Sequence, residues 1–91
     1  MKLQIQSVHF DADQKLLDFA QAKIDKLERF DESLISGEVI MSLDKDRDNG
    51  NKVVVVKLSG ELVAERRAQS FEQAVDECVD ALKRQIEKRK K

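Results

Sequence analysis

The stretch "NKVVVVKLSGELVAERRAQSFEQ", residues 51–73, decides the architecture of this chain. Val53 to Val56 form a β-branched run that packs well on a pleated sheet and poorly in a helix. Ser59-Gly60 supplies a turn, and "GELVAERR" (60–67) makes a short strand after it. "SFEQ" (70–73) is then a capping box: the Ser70 hydroxyl can accept from the Gln73 amide, and the Gln73 side chain can reach back to Ser70. A helix follows to the end of the chain.

Upstream, "LISGEVIMSL" (34–43) places Ile35, Gly37, Val39, Met41 and Leu43 on one face of another strand. "FDAD" (10–13) offers Asp11 or Asp13 as the cap of a helix running to about Phe30. "KLQIQSV" (2–8) alternates, with Leu3 and Ile5 on one side and Gln4 and Gln6 on the other. The order is therefore β-α-β-β-β-α. It predicts a right-handed βαβ crossover followed by an antiparallel meander. Two amphipathic helices would cover one face of a four-stranded mixed sheet, an α+β two-layer fold.

Ninety-one residues fit a single domain, 1–91, with one modest core and no room for a deep catalytic cleft. A hydrophobic content of 41 % without a long apolar run fits a globular chain that does not enter a membrane. Met1-Lys2 leads straight into the first strand without a basic-then-apolar leader, which predicts a cytoplasmic location. The lone cysteine, Cys78, has no internal disulfide partner and falls at a core spacing.

The net charge of −1 conceals a strong asymmetry. Residues 83–91 hold Lys83, Arg84, Lys88, Arg89, Lys90 and Lys91 against Glu87, a net of +5. The 11 basic and 17 acidic residues before them give −6. Cations at a helix end favour the macrodipole. That accounts for the last turn, not for a basic run of this length.

The first helix sorts its charges too. Leu16, Leu17, Ala20, Ile24 and Leu27 share the apolar arc, flanked by Asp18, Asp25 and Glu28 on one side. Lys15, Lys23, Lys26 and Arg29 lie on the other, with Phe19 and Phe30 between the basic and apolar arcs. In the second helix Phe71, Val75, Cys78, Val79, Leu82 and Ile86 form the buried stripe, and Arg84, Lys88 and Lys91 form an exposed row. Arg66 and Arg67 add charge just before it. Phosphates are the natural counterpart of cations from several elements. Four Phe, with no Trp or Tyr, make a poor stacking platform for single-stranded bases, so contact through shape and phosphate fits better.

No constellation for catalysis is legible. His9 is the only histidine, without a spaced Cys or second His for metal or nucleophile chemistry. In "DKDRDNG" (44–50), Asp44, Asp46 and Asp48 sit at alternate positions, as in a calcium loop. The sixth position is Asn49 and the twelfth Val55, and strands flank it, so a solvated hairpin loop fits better. Gly37, Gly50 and Gly60 form no phosphate-cradling loop. The expectation is a non-enzyme without metal, cofactor or small-molecule substrate.

Four segments carry a resemblance. "AKIDKLE" (22–28), "GELVA" (60–64), "SFEQAVD" (70–76) and "DALKRQIEKRKK" (80–91) resemble, in this order, the short-form ribosome hibernation-promoting factors. These belong to the ribosome-associated inhibitor family, also called sigma-54 modulation proteins. The resemblance implies a translation regulator bound to the small ribosomal subunit and its rRNA. It would block the channel for messenger and transfer RNA between head and body, and promote hibernation in slow growth. Lys23, Lys26, Arg84, Lys88 and Lys90 fall on the family's basic positions. Arg29, Arg66, Arg67, Lys83, Arg89 and Lys91 join them as RNA-binding candidates by charge placement alone. "ERRAQ" (65–69) is more charged than the family pattern. The chain stops with its second helix, short of the second domain of long-form members, so pairing of ribosomes would need a second hibernation factor. Two other readings stand beside this one: a small protein-interaction module, such as a transcription-factor modulator, and a double-stranded RNA binder.

Overall fold

The elements form in the predicted order in a computed structural model that describes residues 1–44, 51–59 and 61–89. Strand β1 (Lys2–Val8) is followed by helix α1 (Gln14–Asp25) and a 3-10 turn (Lys26–Arg29). Strands β2 (Ser36–Leu43), β3 (Lys52–Leu58) and β4 (Leu62–Ala68) then lead into helix α2 (Phe71–Arg89). The sheet order is β1-β2-β3-β4. The first pair is parallel, because α1 returns the chain to the same end of the sheet, and the other two pairs are antiparallel. This is the α+β two-layer fold read from the sequence.

Register decides what is buried. Val39 lies opposite Val56, which lies opposite Ala64, and Met41 lies opposite Val54. With a side-chain period of two, this row and Leu58 and Leu62 share the face that both helices cover. Helix α2 supplies Phe71, Ala74, Val75, Cys78, Leu82 and Ile86 to the core, and α1 supplies Ala20 and Ile24. Fully burying a Leu or Ile side chain is worth about 1.5–3 kcal/mol, so Ile24, Leu82 and Ile86 anchor the helices to the sheet. The Phe10 ring stacks on Phe71 at 4.6 Å between centroids, tying the segment before α1 to the start of α2.

Of the two candidate caps, Asp13 is the one used: its carboxylate accepts from the Leu16 amide at 2.9 Å. Ser70 Oγ accepts from the Gln73 amide at 3.2 Å, the forward half of the predicted capping box. Gly37 sits between Leu3 and Leu58. A Cβ there would meet Leu58 Cδ2 at 2.5 Å and Leu3 Cδ2 at 2.9 Å, so glycine lets those side chains close over β2 and a larger residue would force them to shift.

Two expectations need correction. The first helix is α-helical only to Asp25, and the Phe30 amide then donates to the Leu27 carbonyl at 3.0 Å in a tighter turn. That pitch ends the helix while keeping Leu27 buried. Ile35 is not on the core face: β2 begins at Ser36, and Ile35 is 71 % exposed. Its neighbour Leu34 fills that end of the core instead. The backbone of Ile35 is engaged, accepting from the Lys2 amide at 3.1 Å and donating to Ser59 Oγ at 3.2 Å.

Candidate nucleic-acid interface

The sorted charges of α1 face different neighbours. On the acidic flank, the Met1 ammonium pairs with Glu28 and with Asp25 at 3.3 Å, and Gln21 Nε2 donates to both Asp25 oxygens at 2.9 Å. The basic flank turns toward α2. Lys23 Nζ lies 3.5 Å from Asp76 Oδ1 and 5.5 Å from the centre of the Phe19 ring. Lys26 and Arg29 follow, exposed on the 3-10 turn.

Helix α2 presents its cations on two flanks. On the α1 side, Lys83 Nζ sits 5.0 Å from the centre of the Phe30 ring. At the helix end, Arg89 reaches Asp31 at 3.9 Å. On the β4 side, Gln85 Nε2 donates to the Val63 carbonyl at 2.9 Å. Arg84 and Arg66 line a shallow hollow there with Glu77, Asp80 and Ala81. Lys88, four residues beyond Arg84, extends the same row.

Nine of the eleven candidates lie among the described residues, and they divide among three places. Lys23, Lys26, Arg29, Lys83 and Arg89 gather along the seam between α1, its 3-10 turn and α2. Arg66, Arg84 and Lys88 line the flank of α2 beside β4. Arg67 points to the opposite sheet face by strand alternation, where it binds Asp44 Oδ2 at 2.6 Å. Lys90 and Lys91 lie outside the described residues, as do residues 45–50 of the loop weighed for calcium.

Ion pairing separates these cations further. Lys23, Arg67 and Arg89 each have an acidic partner. Lys26, Arg29, Arg84 and Lys88 are exposed and make no ion pair among the described residues. These partners are not legible from local spacing, because Asp76 is 53 positions from Lys23 and Asp31 is 58 from Arg89. The aromatic seats of Lys23 and Lys83 are visible in the sequence as Phe19 and Phe30 at the border of the basic arc.

Chemically, this surface offers fixed positive charge. Cys78 is enclosed in the core, its thiol directed at the Val54 carbonyl at 3.5 Å, and burial pushes its pKa up from 9.0 to about 11. A thiol held protonated is a poor nucleophile. Among the described residues, no group of three or more His, Cys, Asp or Glu side chains is placed to hold a metal ion. No described helix is long and apolar enough to cross a membrane.

Solved structures share this fold. The crystal structure of the Thermus thermophilus Protein Y N-terminal domain matches with a TM-score of 0.83, covering 97 % of this chain and 98 % of that one, at 18 % identity. A ribosomal subunit interface protein from Coxiella burnetii matches with a TM-score of 0.82, covering 99 % of this chain and 98 % of that one, at 22 % identity. At those identities the likeness is one of fold. No curated protein matches the chain by sequence. Residues 3–91 match the family described as sigma 54 modulation protein / S30EA ribosomal protein, and this chain belongs to that family of ribosome-associated factors.

Proposed function

We propose that this chain is a non-enzymatic translation regulator of the cytoplasm that binds the small ribosomal subunit through rRNA phosphates. It sits in the channel between head and body, keeps messenger and transfer RNA out, and holds ribosomes idle when growth slows. The single observation that carries this reading is the set of exposed cations Lys26, Arg29, Arg84 and Lys88, which make no ion pair among the described residues, on a chain of a ribosome-associated family. Cations without an internal partner neutralise a phosphate without first losing a carboxylate, so they contribute most to phosphate affinity.

The remaining charge supports selectivity. The acids at the start of α2, Glu72, Asp76, Glu77 and Asp80, repel an indiscriminate polyanion, so only a groove matched to the basic end is accepted.

Co-sedimentation with vacant ribosomes and separated subunits across a salt series tests the proposal. Binding to the small subunit is expected, weakening by orders of magnitude between about 50 and 200 mM salt if several phosphates are neutralised. A chain that stays at the top of the gradient at low salt would rule the proposal out.

A further inference from the structure

The two edges of the sheet are treated differently. At β4 two outward acceptors are already occupied: Gln85 Nε2 donates to the Val63 carbonyl at 2.9 Å, and the Arg66 guanidinium donates to the Glu65 carbonyl at 2.7 Å. Capping of this kind closes an edge to further pairing. At β1 the Lys2 amide donates inward to Ile35 at 3.1 Å, and Lys2 pairs with Ser36. In a parallel ladder that pattern repeats every second residue. Lys2, Gln4, Gln6 and Val8 therefore spend their backbone groups on β2, while those of Leu3, Ile5 and Ser7 point outward. No described residue bonds to them.

Strand β1 also lacks the usual safeguards of an edge. Residues 2–8 contain no proline and no acid, and Lys2 at the very start is the sole charge. Leu3 and Ile5 are only partly buried, so an apolar margin accompanies the open backbone.

We propose that β1 pairs antiparallel with β1 of a second copy, joining two sheets into one of eight strands. The strand's own sequence favours this occupant. A two-fold axis through Ile5 sets Leu3 against Ser7, Gln4 against Gln6 and Lys2 against Val8 of the second copy. No like charges meet, and the glutamine pairs can hydrogen-bond across the junction. The side-chain parity is kept: Leu3, Ile5 and Ser7 stay on the helix-bearing side and the glutamines on the open face. Each copy carries a net charge of only −1, so long-range repulsion does not oppose association. One strand pair is a small contact, below the roughly 1,000 Å² of a stable interface, so the dimer is weak and concentration-dependent.

Analytical ultracentrifugation of the full chain over a concentration series tests this, with amide hydrogen exchange on the same samples. Dimerisation is expected, with the amides of Leu3, Ile5 and Ser7 becoming protected as concentration rises. The Gln4→Lys, Gln6→Lys double variant changes exposed side chains only and places two lysine pairs across the junction. It is expected to weaken the dimer by about tenfold or more. Gln4→Lys with Gln6→Glu makes the same pairs complementary and is expected to restore it. A wild-type chain that stays monomeric to about 1 mM overturns the proposal. So does a dimer whose Leu3, Ile5 and Ser7 amides remain unprotected, or one indifferent to both variants. Protection of those amides only when an unrelated extended peptide is added would assign the edge to that partner and overturn self-pairing.

Discussion

Lys83 Nζ stands 5.0 Å from the centre of the Phe30 ring, so a cation of α2 is seated on the aromatic residue that follows the 3-10 turn. The contact fixes the height of α2 against the end of α1 and keeps the ammonium at the seam. A cation over an aromatic face at a partly exposed site is worth about 0.5–1 kcal/mol. Urea denaturation of Lys83→Met, Phe30→Leu and the double variant is expected to give a coupling of about that size. Strictly additive single effects would mean that the two side chains are merely near each other.

Arg84 and Lys88 have no ion pair to lose among the described residues, which makes them clean probes of phosphate contact. Each neutralised phosphate contributes about 0.7–0.9 to the slope of log affinity against log salt. Arg84→Gln with Lys88→Gln is expected to lower that slope by about 1.4–1.8 in ribosome co-sedimentation, with little change in folding stability. An unchanged slope would remove both residues from the contact surface.

Gly37 is expected to resist even the smallest substitution. The added methyl of Gly37→Ala would meet two leucine side chains and lie 3.0 Å from the Lys57 carbonyl oxygen. Overpacking of this kind costs about 1–3 kcal/mol. Chemical denaturation should register the loss, and Leu58→Val in the same chain should return part of it by clearing the nearer contact. A fully stable Gly37→Ala would show that the leucines move aside freely.

Burial holds the Cys78 thiol protonated to about pH 11, against 9.0 when exposed. The folded chain therefore binds the proton more tightly than the unfolded one, and stability falls as pH rises. This contribution is whole below pH 9 and lost as pH passes about 11. Its size is about 2–3 kcal/mol. Denaturation curves across that window should show the decline in the native chain and a shallower one in Cys78→Ala. Labelling of the native thiol near pH 8 should proceed at the rate of unfolding.

Local chemistry made most of the fold legible. Alternation in 2–8, the valine run at 53–56 and the Ser70 cap each act over a few residues, and each appears where the sequence puts it. Ile35 misled because its parity matches Val39 and Met41, yet the strand starts one residue later and Leu34 claims the core. The site was legible as a set of charges but not as a surface. Arg66 and Arg67 are neighbours in sequence and lie on opposite faces of β4. Which lysine or arginine already holds a carboxylate depends on contacts between distant elements, and no spacing rule reaches that far.

The acids and bases on opposite flanks of α1 have one more consequence. A molecule whose charges nearly cancel feels little net pull from a distant polyanion, yet separated charges give it a lasting moment and therefore a torque. In the proposed binding mode, an approaching ribosome would turn this protein before it draws it in, presenting the seam between the helices first and the flank around Asp25 and Glu28 last. Encounter in the correct orientation then comes from rotation during approach, without the trapping on stray RNA that a highly cationic protein suffers.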